Sequence, residues 1–80
     1  MFYVYFLKSI KHPDKIYVGY TDNVTQRLIA HNQGKSMYTA KYAPWNLHGY
    51  IAFKKESRAI VFEKYLKSGA GKAFANKHFL

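Results

Sequence analysis

Few side chains in this sequence could carry acid chemistry, because only four of its 80 residues are Asp or Glu. One of them, Glu63, lies beside the apolar stripe that includes Phe62 and Leu66 on a predicted helix. A carboxylate at the edge of a core is costly unless it is paired or holds a cation. We therefore expect Glu63 to face a cation, either a bound ion or a salt-bridge partner such as Arg27 or a lysine.

Other candidate residues occur at spacings that bring side chains together. Arg27 and His31 are spaced i, i+4, so a helix would project both from one side, one turn apart. Tyr5 and Tyr17 fall in two predicted strands. Alternation of strand side chains puts Tyr3, Tyr5 and Leu7 on one face of the first strand and Phe2, Val4 and Phe6 on the other, and it puts Tyr17 on the same face as Gly19. A pair of tyrosines packed as sheet surface is the alternative in a chain with 19% aromatic residues.

The charge balance predicts the class of partner. Thirteen Lys and Arg residues give a formal net charge of +9, which favours a polyanion and above all nucleic acid. The alternative is a solvated basic surface.

There is no cysteine, which excludes disulfide and thiol chemistry, and the four histidines show no paired metal spacing. No apolar run approaches the roughly 18 residues of a membrane span. We expect a cytoplasmic protein with no membrane partner and no signal peptide.

The elements that must position these residues fit one domain, 1–80. Two aromatic, β-prone runs flank a turn with Pro and Asp, which predicts a hairpin. The predicted elements are strands 2–7, 16–20 and 47–53, helices 24–32 and 58–67, a loop over 35–46 and a helical tail over 72–78. This β-β-α-β-α-α order predicts an α+β fold with a small three-stranded antiparallel sheet flanked by helices.

An ordered set of motifs in this chain resembles the GIY-YIG nuclease family, and in particular its small single-domain members. The set is Tyr3-Val4-Tyr5, Tyr17-Val18-Gly19, Arg27 and then Glu63 on the second helix. The resemblance covers essentially the whole chain. It departs at Tyr3, which replaces the glycine that opens the first motif.

The resemblance implies a metal-dependent endonuclease that leaves a 5′-phosphate and a 3′-hydroxyl. Glu63 would be the sole protein ligand of one Mg²⁺ or Mn²⁺ ion. Arg27 would stabilise charge that develops at phosphorus. Tyr17 would take the proton from the attacking water, with Tyr5 orienting that water or sharing the role. His31 would lie near the water or the phosphate.

The same resemblance implies a nucleic-acid substrate, with DNA favoured over RNA and a role in DNA repair or recombination. Lys41, Lys67 and Asn76 are the candidate contacts to phosphate. Target selection could come from a homodimer or a partner protein. The alternative function is a catalytically inactive nucleic-acid binding module that uses the same fold, since the charge and the aromatic residues serve both.

Overall fold

A computed structural model describes all 80 residues of the chain as a three-stranded antiparallel sheet with four helices. The strand order is β2-β1-β3, so β1 is central. The strands are β1 Phe2–Ser9, β2 Ile16–Thr21 and β3 Trp45–Phe53, and the helices are α1 Val24–Asn32, α2 Met37–Lys41, α3 Glu56–Leu66 and α4 Gly69–His78. The predicted α+β fold and its antiparallel sheet are confirmed.

The alternation of side chains along β1 separates two buried clusters. Val4 and Phe6 point to one face, where they pack with residues of α3 and α4. Tyr5 and Leu7 point to the other face, where they pack with Trp45 and, on α1, with partly buried apolar residues. The predicted assignment of these residues to opposite faces is confirmed, and it places the Tyr5 hydroxyl on the side of the sheet that α1 covers.

Helix α1 has the ends that its sequence predicts. The Asn23 side chain caps its start, where Oδ1 accepts a hydrogen bond from the backbone N–H of Gln26 at 3.0 Å. Gly34 follows the last turn with φ of 78°, a left-handed conformation that glycine adopts without strain. These caps fix the register of the helix that carries Arg27 and His31.

The prediction of a loop over 35–46 is wrong, because this stretch contains α2 and the first two residues of β3. Local sequence does not favour a five-residue helix, since so short a helix is marginal without tertiary packing. That packing comes from Trp45, which is 2% exposed and whose indole N–H donates to the Thr39 carbonyl at 2.7 Å. Trp45 is thus a core residue.

Two helices begin earlier than predicted. Helix α3 starts at Glu56 rather than Arg58, and α4 starts at Gly69 rather than at residue 72. The Ser68 side chain caps α4 by accepting from the backbone N–H of Gly71 at 3.1 Å. None of the helices is long and apolar enough to cross a membrane.

Gly71 allows α4 to turn back tightly against the end of α3, which generates a stability prediction. A Cβ at Gly71 would lie 1.7 Å from the Tyr65 carbonyl oxygen, so Gly71→Ala must displace backbone. We expect it to lower the free energy of unfolding by about 1–3 kcal/mol, the usual cost of overpacking. Urea denaturation measures the change.

Gly69→Ala is the matched control, because nothing lies within 4 Å of a Cβ there. It should be neutral or stabilise the helix by up to about 1 kcal/mol. Equal unfolding free energies for the two variants would contradict the close approach.

Candidate active site

A chain of side-chain hydrogen bonds leads from the central strand into α1 and α2. The Tyr5 hydroxyl lies 2.8 Å from His31 Nε2, and His31 Nδ1 lies 2.8 Å from Thr39 Oγ1. Thr39 in turn donates to the Ser36 carbonyl at 3.4 Å. Because the single Thr39 hydroxyl hydrogen is used there, its oxygen accepts from His31 Nδ1–H, which leaves Nε2 to accept from Tyr5. This network holds the Tyr5 ring in one orientation.

The same ring explains the glycine of the Tyr-Val-Gly motif. Tyr5 pairs with Gly19 across the two strands, and a Cβ on Gly19 would lie 2.3 Å from the Tyr5 hydroxyl oxygen. The Tyr5 side chain thus occupies the space that any larger residue at position 19 would need. Both motifs therefore contribute to a single packed unit.

The buried groups of this network are held in their neutral forms. Burial raises the pKa of the Tyr5 phenol, and the neighbouring Tyr17 and Glu63 add to the effect, while the Arg27 guanidinium at its hydroxyl opposes it. Burial lowers the pKa of His31 below its ordinary value of 6.5, and the positive charge of Arg27 lowers it further. Tyr5 and His31 are only 1% exposed.

Tyr17 lies beside this network but is half-buried and faces a cleft. Its ring centroid is 4.9 Å from that of His31 and 6.2 Å from that of Tyr5. On the other side, the Lys67 ammonium lies 5.7 Å from the Tyr17 ring centroid. Tyr17 is thus the tyrosine of the pair that a substrate in the cleft could reach.

The Glu63 carboxylate is paired with a lysine of its own helix. Lys67 Nζ lies 3.0 Å from Glu63 Oε2, and the Glu63 side chain is 19% exposed. This is the salt-bridge reading of Glu63, with Lys67 rather than Arg27 as the partner. Arg27 forms no ion pair with any carboxylate, so its guanidinium is available to an anion.

A cleft of about 380 Å³ opens next to Tyr17, between β2, α2 and the ends of α3 and α4. Polar and aromatic residues line it, including Lys15, Tyr17, Tyr38, Lys67, Lys72 and Asn76. Two of the predicted phosphate contacts, Lys67 and Asn76, therefore share this cleft. The third, Lys41, is not part of its wall and lies with Nζ 5.5 Å from the centroid of the Tyr42 ring.

One carboxylate is enough to hold a hard divalent ion such as Mg²⁺, because this ion keeps most of its water ligands in protein sites. Glu63 provides an oxygen donor at the edge of the Tyr5–Tyr17 cluster. No group of three or more His, Cys, Asp or Glu side chains lies together in the structure. A cation at Glu63 would therefore replace the Lys67 ammonium as the partner of its carboxylate and would need phosphate and water to complete its ligands.

Sequence reasoning missed Thr39 and the structural role of Asn32. The Asn32 side chain accepts from the Trp45 backbone N–H at 2.7 Å and donates to the Trp45 carbonyl at 3.1 Å. These two bonds connect the end of α1 to the start of β3. Ser36, a residue type that often begins helices, lies three residues before Thr39 and was the only local sign of α2. Nothing in the sequence indicated that Thr39 would form a hydrogen bond with His31.

The fold and this cluster define a class of protein, a small α+β domain with two strand tyrosines, a helix-borne arginine and a helix-borne glutamate, and with a basic cleft that Tyr17 lines. Residues 1–77 match the family model described as the GIY-YIG catalytic domain. The chain belongs to the GIY-YIG family. Membership supports a nuclease-type function, and nucleases of this family generally use divalent metal ions.

The chain is also similar to a UPF0213 protein of Bacillus licheniformis. The two are 40% identical over 53 residues, which is 65% of this chain. The chain spans about 55% of the length of that relative.

The buried neutral His31 predicts a pH dependence of stability. Its pKa is lowered in the folded state, so the unfolded chain binds the extra proton as the pH falls below about 6.5. The stability is complete above this value and should decline as the pH falls toward the folded pKa, by at most about 1.4 kcal/mol per pH unit. Urea unfolding at a series of pH values measures the slope.

The substitution His31→Gln should remove most of that slope, although it also destabilises the fold. His78→Gln is the control, because His78 is exposed at the end of α4. An unchanged slope in the His31 variant would mean that other groups cause the dependence.

Proposed function

We propose that this chain is a metal-dependent endonuclease that hydrolyses phosphodiester bonds in DNA. The convergence of Tyr5, Tyr17, Arg27 and Glu63 carries the proposal, because these residues come from two strands and two helices. His31 contacts both tyrosines, and Lys67 contacts Tyr17 and Glu63. Arg27 lies at the Tyr5 hydroxyl. An arrangement that needs so many elements is not expected of ordinary surface residues.

The charge around this cluster supports phosphate binding. Arg27 is free of carboxylate partners and can form paired hydrogen bonds with a non-bridging phosphate oxygen. There it would stabilise the charge that develops at phosphorus in the transition state. Lys67 and Asn76 line the adjoining cleft and could contact the flanking phosphates. Lys41 extends this positive surface on α2.

Tyr17 is the proposed general base. It lines the cleft, whereas the Tyr5 hydroxyl is buried and already bonded to His31. The Lys67 ammonium lies 5.7 Å from the centroid of the Tyr17 ring, so a positive charge stands beside the proposed base. Tyr5 and His31 then act as a fixed support that orients the Tyr17 ring and the water.

Glu63 is the proposed metal ligand, with Mg²⁺ or Mn²⁺ as the ion. When bound, the ion would stabilise negative charge on the leaving 3′ oxygen. Before that, Lys67 neutralises the Glu63 carboxylate. Release from this ion pair would leave Lys67 free to turn toward a phosphate in the cleft.

DNA repair or recombination is the proposed setting, with DNA rather than RNA as substrate. The domain offers a small footprint, so affinity would depend strongly on salt. Target selection would then come from substrate shape, a homodimer or a partner protein.

A catalytically inactive nucleic-acid binding module is the second candidate, and the Glu63–Lys67 ion pair favours it. The pair satisfies the carboxylate without a metal ion. The basic cleft and its tyrosines would bind nucleic acid equally well in that case. Only turnover separates the two functions.

Removal of the Glu63 carboxylate distinguishes the nuclease from the inactive binding module. In Glu63→Gln the charged oxygen ligand is lost while the size of the side chain is kept, so we expect cleavage to fall by at least about 100-fold. Binding of DNA should remain. Labelled single-stranded, duplex and branched DNA, incubated with Mg²⁺, Mn²⁺ or EDTA at low salt, measures both.

Glu56→Gln is the matched control, because Glu56 is an exposed carboxylate on the same helix whose partner is the Tyr20 hydroxyl. It should cut at the rate of the unmodified protein. Equal cutting by the Glu63 variant would overturn its role as metal ligand. Binding without cutting on any of these substrates would favour the inactive module.

The roles of the two tyrosines predict different losses of cleavage rate. Tyr17→Phe removes the proposed base, so single-turnover cleavage should fall by about 10²- to 10⁴-fold. Tyr5→Phe leaves the buried His31 Nε2 without its hydrogen-bond partner, which should cost about 1–3 kcal/mol of stability and slow cleavage far less than Tyr17→Phe does. The reverse pattern would assign the base to Tyr5.

A further inference from the structure

Three tyrosines form a continuous row of rings that leads away from the proposed catalytic residues. Tyr17 and Tyr38 have ring centroids 6.2 Å apart, and Tyr38 and Tyr42 have centroids 5.4 Å apart. We infer that this row, the tyrosine track, binds unpaired bases of the substrate by stacking. The inference rests on the proposed function and names its substrate class, nucleic acid that is single-stranded next to the cut.

The middle ring of the track is open to a ligand. Tyr38 is 50% exposed and stands in the wall of the cleft, on the short helix α2. Its neighbours Tyr17 and Tyr42 are half-buried, so each keeps part of its ring covered by protein. Tyr42 is further held by the His12 ring, whose centroid is 5.4 Å away. An exposed aromatic ring between two fixed ones provides a platform for a planar ligand.

Three lysine ammonium groups lie against the rings of the same row. Lys15 and Lys41 lie with Nζ 5.4 and 5.5 Å from the Tyr42 ring centroid, and Lys67 lies 5.7 Å from that of Tyr17. The one acidic residue in the cleft wall, Asp14, lies 3.9 Å from Lys15. Alternating aromatic faces and cations are the pattern by which proteins bind single strands without reading their sequence.

The chemistry of the track favours unpaired over paired nucleotides. In a duplex both faces of a base are covered by neighbouring base pairs, so a tyrosine ring has no face to stack on. In a single strand the faces are available, and every base offers one. The cleft beside Tyr38 has an apolar side formed by Leu66 and Ala75, and its volume of about 380 Å³ is that of a small-ligand site. A displaced base therefore has room there.

Binding measured without turnover tests the track. Fluorescence anisotropy with a labelled oligothymidylate, at low salt and in EDTA, should give tighter binding than an abasic strand of equal length or a duplex. Tyr38→Ala should weaken the binding of oligothymidylate by about 5- to 100-fold. Tyr38→Phe should bind as the unmodified protein does, because stacking needs the ring and not the hydroxyl.

Tyr50→Ala is the matched control, because Tyr50 is 54% exposed on β3, the opposite edge strand of the sheet. It should not change binding, and both alanine variants should retain the unfolding free energy of the unmodified protein to within about 0.5 kcal/mol. An oligouridylate of the same length shows whether RNA is bound as well as DNA. For either nucleic acid, tighter binding of the base-containing strand than of the abasic strand supports stacking.

Two results would overturn the tyrosine track. One is equal affinity for base-containing and abasic strands, which would mean that lysines alone bind the backbone. The other is unchanged binding by Tyr38→Ala. Neither result is a measurement of cleavage, so neither contradicts the proposed nuclease function. Conversely, binding that needs both the bases and Tyr38, in a protein that cuts nothing, would retain the track and reject the nuclease.

Discussion

The hydrogen bond between Tyr5 and His31 is the interaction on which the arrangement of the site depends. Tyr5 belongs to the central strand, so its position is set by strand pairing on both sides. The ring can lie there only because position 19 is a glycine, and its hydroxyl can be buried only because His31 accepts from it. His31 needs Thr39 in the same way, so one buried phenol fixes the positions of β2, α1 and α2.

A second constraint is the scarcity of negative charge. With four acidic residues against thirteen Lys and Arg, most cations have no carboxylate to pair with. The molecule contains two ion pairs, and one of these uses Glu63. The unpaired cations attract phosphate, while Glu63 is the one carboxylate among the predicted catalytic residues. In the proposed nuclease, binding of the polyanion and of the divalent ion would thus fall to separate groups that meet at Lys67.

The sequence predicted the sheet, the faces of β1 and the helices that carry Arg27 and Glu63, because strand alternation and helix caps are local signals. It failed at α2, whose stability depends on Trp45 packing rather than on propensity. The sequence did not decide whether Arg27 or a lysine pairs with Glu63, because the choice depends on how the helices pack in three dimensions. Thr39 could not be found at all, since its role arises from a contact with a residue eight positions away.

Tyr17 connects the buried hydrogen-bond network to the rest of the tyrosine track, because its ring lies next to His31 on one side and next to Tyr38 on the other. A base stacked beside Tyr38 would bring its nucleotide next to Tyr17, because the centroids of the two rings are 6.2 Å apart. The same stacking would exclude water from the apolar wall of the cleft and strengthen the charge interactions there. Shape selection and positioning of the scissile phosphate would then depend on one set of rings, which explains how a domain of this size could choose a substrate.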